Sequence, residues 1–130
     1  MEALNKQVAE LRDLVIEIID KYKAFDVTIL DVREKTSITD IIIIANGQSD
    51  RQTKAIANHL TLEAKEHGHT VLGVEGEKEG EWILIDLGDV VTHIMLPVTR
   101  VFYQLEKLWK TEIPLDAEAA SLSIKNKASG

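Results

Sequence analysis

The sequence predicts an α/β fold in which about five strands form one mixed sheet with helices packed on it. Three observations predict it. Apolar residues from Leu4 to Tyr22 recur three and four positions apart, residues 41–44 are four consecutive isoleucines, and two apolar runs flank the turn Leu87-Gly88-Asp89. The first pattern is typical of an amphipathic helix, the second of a buried strand and the third of two strands joined by a tight turn.

The first half of the chain is predicted to contain a helix, two strands and a second helix. The helix stripe of residues 4–22 is expected to pack on the sheet, with a coiled-coil dimer as the alternative. Val27 to Val32 is predicted as a short strand. The isoleucine run shows no alternation, which indicates a central strand buried on both faces. Ser49 or Asp50 is expected to cap a second helix, which Gly68 ends.

The second half is predicted to contain three strands, a last helix and a tail. The strands are expected at residues 70–74, 82–86 and 90–96. Pro97 suits the first turn of a helix, because the N–H that proline lacks is not bonded there. The apolar face of this helix consists of Val101, Phe102, Leu105, Leu108 and Trp109. From Thr111 the chain becomes small, polar and weakly patterned, which predicts one domain over 1–110 and a flexible tail over 111–130, with a short helical patch at 116–122.

Length, charge and composition limit the classes of function. The 130 residues fit one domain with its own core. A formal net charge of −7, with Lys and Arg scattered among more numerous Asp and Glu, argues against direct nucleic-acid binding, because phosphate contacts require a basic face. The chain has no cysteine, no apolar stretch of the ~20 residues that span a bilayer and no secretory signal pattern. We therefore expect a cytoplasmic protein that binds neither membranes nor specific nucleic-acid sequences.

The polar residues match no catalytic motif. Metal-dependent phosphoryl transfer requires two carboxylates on one strand face, whereas Asp86 and Asp89 are three positions apart and separated by a turn. The four histidines lack the spacing and the third ligand of a zinc site, and no serine has an activating motif. The turn at residues 46–51, before a helix, is a minor candidate for phosphate binding. The residues therefore supply no candidate catalytic, metal or cofactor site, and a nucleotide-binding or nucleotidyltransferase-like protein is the alternative.

Three aromatic and imidazole side chains stand out in the second half of the chain. Trp82 begins a strand beside the acidic loop 75–81, so we expect it to be partly exposed and to serve an interface, where tryptophan is enriched. Trp109, at the end of an apolar stripe, is expected in the core. His93 is more typical of a hydrogen-bonded structural histidine than of a ligand.

Five motifs in the same order resemble the ribosomal silencing factor (RsfS/Iojap) family. They are Ser37-Ile38-Thr39-Asp40, Gly47-x-Ser49-x-Arg51, Gly73-Val74-Glu75-Gly76, the run from Trp82 to His93, and Arg100-x-x-Tyr103-x-Leu105-Glu106-x-Leu108-Trp109. The resemblance covers about residues 3–110 and leaves the tail outside. Ile41 and Leu87 occupy two positions where many members have an aromatic residue.

The resemblance implies a fold similar to the nucleotidyltransferase core, without the catalytic carboxylates. It also implies a function: a factor that is not an enzyme and binds large-subunit ribosomal protein fourteen on the face that meets the small subunit. Occupying that face blocks association of the subunits and represses translation under nutrient limitation. An acidic factor that docks on a basic ribosomal protein fits this expectation.

Family position and chemistry imply a set of partner-binding residues. These are Trp82, Leu84, Asp86, Asp89, His93, Arg100, Tyr103 and Glu106. In this interpretation Trp82 is the aromatic anchor, Leu84 adds apolar contact on the same strand face, and the carboxylates pair with Lys or Arg of the partner. We expect Trp82→Ala to abolish binding to the large subunit while the fold survives. The same apolar surface is a candidate homodimer interface in the free protein.

Overall fold

The computed structural model describes residues 3–110, which contain four helices and five strands. They are α1 (Lys6–Lys21), β1 (Phe25–Asp31), β2 (Ile41–Asn46), α2 (Asp50–Glu66), β3 (Gly73–Glu75), β4 (Trp82–Asp86), β5 (Val90–Met95), α3 (Pro97–Tyr103) and α4 (Leu105–Lys110). The α/β fold with a five-stranded mixed sheet is confirmed. The predicted strand at 70–74 is shorter and begins later, as β3. The predicted tail and its helical patch lie outside the described residues.

The isoleucine run forms the interior of the sheet. The strand order is β1-β2-β5-β4-β3, and β2 and β5 run parallel, with Ile41 opposite Val90 and Asn46 opposite Met95. The other neighbours are antiparallel. Every residue of β2 and β5 is buried. The prediction of a central strand covered on both faces is therefore confirmed, and the lack of alternation was the feature that indicated it.

Different helices cover the two faces of the sheet. On one face α1 and α2 pack their apolar stripes against alternate residues of the central strands, such as Ile41 and Ile43. On the other face, which we call the α4 face, Leu105 and Trp109 pack over Ile42. The stripe of α1 therefore packs on the sheet, as predicted.

Local side-chain bonds define where the second helix begins and how it is joined to the first. Ser49 Oγ accepts from the backbone N–H of Gln52 at 3.1 Å, which confirms the predicted cap of α2. Near the other end of α2, Glu63 accepts hydrogen bonds from Lys21 Nζ at 2.5 Å and from the Tyr22 hydroxyl. These bonds attach the end of α1 to α2.

The last helix differs from the prediction. A single helix from Pro97 to Trp109 was expected, but Gln104 adopts a left-handed conformation (φ 48°) that ends α3 before α4 begins. The break interrupts the helical period, so the two halves of the predicted stripe face different directions. Trp109 is buried, as predicted, whereas Val101 and Phe102 are exposed. Their assignment to a core-facing stripe was wrong.

Gly76→Ala is expected to destabilise the protein strongly. Gly76 has φ +85°, and an added Cβ would lie 1.9 Å from the carbonyl oxygen of Trp82. Gly68 is a matched control, because it has φ +86° with no atom within 4 Å of the Cβ position. We expect Gly68→Ala to lower the free energy of unfolding by about 1–2 kcal/mol. Gly76→Ala should cost about 1–3 kcal/mol more, since β4 must also shift. Equal midpoints of urea unfolding for the two variants would contradict this account.

Candidate functional site

The structure does not bring the eight predicted partner-binding residues together on one exposed surface. Trp82, Leu84 and His93 are buried in the sheet on the α4 face. Asp86 and Asp89 lie at the turn between β4 and β5. The remaining three, Arg100, Tyr103 and Glu106, lie on α3 and α4.

Trp82 lies behind other side chains rather than at the surface. Its side chain is 4% exposed and packs with Met95 and Leu105. The Tyr103 ring covers it at a centroid distance of 5.0 Å. The expectation that Trp82 is partly exposed was therefore wrong, because α4 folds back over the start of β4. The position of α4 depends on long-range packing, which the strand pattern alone does not contain.

Trp82 and His93 form a buried hydrogen bond across the β4–β5 pair. Trp82 Nε1 donates to His93 Nδ1 at 2.8 Å, so the imidazole is neutral and carries its proton on Nε2. Burial lowers the pKa of His93 to about 3, since water is excluded from the charged form. The prediction that His93 is a hydrogen-bonded structural histidine agrees with this geometry.

The buried histidine makes stability depend on pH. An unfolded histidine has a pKa of about 6.5, so between that value and the folded pKa of about 3 the unfolded state binds the extra proton. Stability contributed by His93 is present above pH ~6.5 and is lost as pH falls through this window. Between pH 7 and pH 5 we expect urea unfolding to show a loss of about 2 kcal/mol from this residue.

Two histidine variants separate this effect from the rest of the protein. Between pH 7 and pH 5, the free energy of unfolding of His93→Gln should fall by about 2 kcal/mol less than that of the wild type. His67→Gln, at an exposed histidine whose ring bonds the Glu63 carbonyl of its own helix, is measured alongside as the comparison. Parallel curves for His93→Gln and the wild type would contradict the assignment.

The turn between β4 and β5 uses its aspartates to shape the backbone. Asp86 Oδ1 accepts from the backbone N–H of Gly88 at 2.8 Å, which stabilises the turn. The carbonyl oxygen of Asp89 accepts from the backbone N–H groups of Asp40 and Ile41, both at 3.0 Å. Of these two aspartates, Asp89 is exposed and Asp86 is partly buried. This turn lies at the opposite end of β5 from α3.

Arg100 joins α3 to the sheet and to α4. Its Nε donates to Glu106 Oε1 at 2.9 Å, and Nη2 donates to Thr28 Oγ1 at 2.8 Å. Nη1 donates to Asn46 Oδ1 at 3.1 Å and to the backbone carbonyl of Asp26. The Arg100 side chain is only 10% exposed. Four of its five N–H donors are therefore used within the protein.

The most exposed apolar side chains of the described residues lie together on α3. Val98, Val101 and Phe102 are 74%, 71% and 77% exposed. Their i, i+3 and i+4 spacing places them on one side of the helix, and we call this group the α3 patch. The Phe102 ring meets the Tyr103 ring edge-on at 4.9 Å. Sequence reasoning missed this group as a surface, because adjacent apolar residues before Leu105 read as one core-facing stripe.

The turn before α2 does not favour the nucleotide-binding alternative. Ser49 is occupied as the helix cap, and the backbone N–H of Gln48 donates to Gln52 Oε1 at 2.5 Å. A Cβ at Gly47 would lie 2.6 Å from Thr53 Cγ2, so this glycine is needed for close packing with α2. Among residues 3–110 no three His, Asp or Glu side chains are grouped to hold a metal ion. Within the same part of the chain, no helix has the length and apolarity to cross a membrane.

Comparison with known proteins gives consistent matches. The family model "Ribosomal silencing factor during starvation" matches residues 5–129. Ribosomal silencing factor RsfS of Chromobacterium violaceum is 41% identical over 115 residues, which cover 88% of this chain and 94% of that protein. A crystal structure of a protein from the same organism aligns with a TM-score of 0.78 and 41% identity, covering 88% of this chain and 92% of that chain. A mouse protein named "Mitochondrial assembly of ribosomal large subunit protein 1" is 31% identical over 100 residues, which cover 75% of this chain and 44% of that protein.

Proposed function

The chain belongs to the ribosomal silencing factor family, and from this premise we propose that it binds the large ribosomal subunit through ribosomal protein fourteen and sterically blocks association with the small subunit. Its effect is to repress translation under nutrient limitation. The action needs no catalysis and no cofactor, and a role at the ribosome implies a cytoplasmic location. The observation that carries the proposal is the α3 patch.

The α3 patch has the composition and exposure of a docking surface. Three neighbouring apolar side chains, each more than two thirds exposed, form a cluster, whereas single exposed apolar residues are ordinary. Aromatic residues, phenylalanine among them, are enriched in protein–protein interfaces. We therefore assign Phe102 as the anchor, with Val98 and Val101 beside it and Tyr103 at the edge.

The eight residues implied by the family take different roles in this proposal. Trp82, Leu84 and His93 support the surface from behind, since the Trp82 ring contacts Tyr103. Glu106 is partly exposed next to α3, and in this proposal it meets a basic side chain of the partner at the rim. Asp86 and Asp89 would contribute where the interface extends along the sheet to the β4–β5 turn.

Charge supports the choice of partner. The formal net charge of −7 favours encounter with a basic ribosomal protein, and such steering weakens as salt screens it. We assign binding to the domain over 1–110. An apolar patch of this kind also suits pairing of two copies of the free protein, and such a homodimer would compete with the ribosome.

Co-sedimentation with isolated ribosomal subunits tests the proposal. We expect the protein to pellet with large subunits and not with small subunits, and to dissociate progressively over a series of rising salt concentrations. The same salt series is run without ribosomal subunits as the control, because protein that sediments alone has aggregated. Absence of binding to large subunits at low salt would overturn the proposal.

A further inference from the structure

We propose that Arg100 is a positioning residue, which holds α3 in the orientation that presents the α3 patch, and that it does not itself contact the partner. This inference rests on the proposed function of the α3 patch. It differs from the contact role that the family resemblance implies for Arg100.

The packing of α3 explains why a positioning residue is needed. The helix has seven residues, none of them buried, and no side chain caps its N-terminus. Helices this short are not stable alone, and burial of an apolar face normally supplies most of their stability. Here Val98, Val101 and Phe102 point away from the sheet, and the aromatic ring that packs inward, Tyr103 on Trp82, is at the C-terminal end of the helix. The orientation of α3 therefore depends on its ends and on the polar side chain that faces inward.

Arg100 supplies that inward attachment to three separate segments. Its guanidinium binds the β1 bulge at Asp26 and Thr28, the end of β2 at Asn46, and α4 at Glu106. Asp26 has a left-handed backbone (φ 51°) where the β1–β2 register shifts. This irregularity turns its carbonyl towards the guanidinium instead of a strand partner.

The geometry requires arginine rather than any positive charge. Four acceptors surround Nε, Nη1 and Nη2, and only the planar fork of a guanidinium offers donors in these directions at once. A lysine ammonium is a single point with three donors and cannot reach all three segments together. If Arg100 positions α3, Arg100→Lys should therefore lose affinity for the large subunit. If Arg100 contacts the partner through its charge, Arg100→Lys should keep that affinity.

The experiment measures affinity for isolated large subunits at two salt concentrations. The variants are Arg100→Lys, Arg100→Gln, Asn46→Ala, Thr28→Val and the double variant Arg100→Gln/Asn46→Ala. Asn46 is buried and therefore cannot touch a partner. Thr28→Val removes another acceptor of Arg100 while keeping the side-chain shape, and it replaces Asn46→Ala if that variant folds poorly. Lys107→Gln is the control, because Lys107 is exposed, lines a surface groove together with Arg100, Asn46 and Glu106, and does not bond to them. Hydrogen exchange of the α3 amides is measured on each free protein.

If Arg100 positions α3, we expect the following affinities and exchange rates. Arg100→Lys and Arg100→Gln should both weaken binding about 10-fold or more, by the same factor at low and high salt. Asn46→Ala or Thr28→Val should weaken it several-fold, and the double variant should bind no worse than Arg100→Gln alone. Exchange of the α3 amides should accelerate in all of them while core amides keep their protection.

Other outcomes overturn the inference. Wild-type affinity for Arg100→Lys, or a salt dependence that changes in Arg100→Gln, would identify a direct charge contact. Additive losses in the double variant would show that Asn46 and Arg100 act separately. If the wild type does not bind large subunits, the proposed function fails, and the exchange measurement alone decides whether Arg100 holds α3. Unchanged α3 exchange in Arg100→Lys would then overturn the positioning role as well.

Discussion

Phe102→Asp is expected to weaken binding to the large ribosomal subunit by 100-fold or more while leaving the fold intact. The Phe102 side chain is 77% exposed in the free protein, so its loss removes little packing. Removing an aromatic anchor commonly costs about 2–4 kcal/mol, and a buried carboxylate in its place adds a desolvation cost. Because each 1.4 kcal/mol is about tenfold in affinity, the two costs together correspond to a loss of about 100-fold or more. Val101→Asp should act in the same direction.

A matched control excludes a general effect of added negative charge. Leu62 is 49% exposed on α2, which covers the opposite face of the sheet from α4. Leu62→Asp therefore makes the same chemical change outside the α3 patch and outside the residues assigned to the interface, and it should retain wild-type binding. Circular dichroism and urea unfolding should show all three variants to be as stable as the wild type. If Phe102→Asp binds normally, the α3 patch is not the docking surface.

Trp82→Ala is expected to lower the free energy of unfolding by about 3–5 kcal/mol, the usual cost of emptying a large aromatic site in a core. Trp82 is 4% exposed, and its removal leaves a space beside Met95 and Leu105. It also removes the donor to His93 Nδ1. Urea unfolding followed by circular dichroism measures the change, since it does not depend on tryptophan fluorescence.

Trp82→Phe separates packing from hydrogen bonding at this site. Phenylalanine fills most of the space but has no N–H, so we expect a loss of about 1–3 kcal/mol. Binding to the large subunit should survive in Trp82→Phe under conditions where it is folded. An unfolding midpoint for Trp82→Ala equal to that of the wild type, together with lost binding, would instead support the contact role that the family resemblance implies.

Much of the fold could be predicted from the sequence because local patterns determine it. The uninterrupted isoleucine run indicated a strand covered on both faces, and Ser49 marked the start of α2. The turn at Gly88 marked the β4–β5 hairpin. Each of these features depends on periodicity or on a residue's own backbone preference.

The candidate surface could not be predicted because it depends on long-range contacts. Gln104 is neither Gly nor Asn, so nothing in its type indicates the left-handed residue that separates α3 from α4. Without that break, Val101 and Phe102 read as part of the same stripe as Leu105. The burial of Trp82 follows from the position of α4, which the strand pattern does not contain.

Subunit joining is the measurement that tests the central claim most directly. Purified large subunits are incubated with the wild-type protein, small subunits are added, and the amount of joined ribosome is followed by light scattering or sucrose-gradient sedimentation. The proposed function predicts that wild type and Leu62→Asp prevent joining in proportion to the occupied large subunits, and that Phe102→Asp does not. Full joining in the presence of saturating wild-type protein would contradict steric exclusion, even if the protein binds the large subunit.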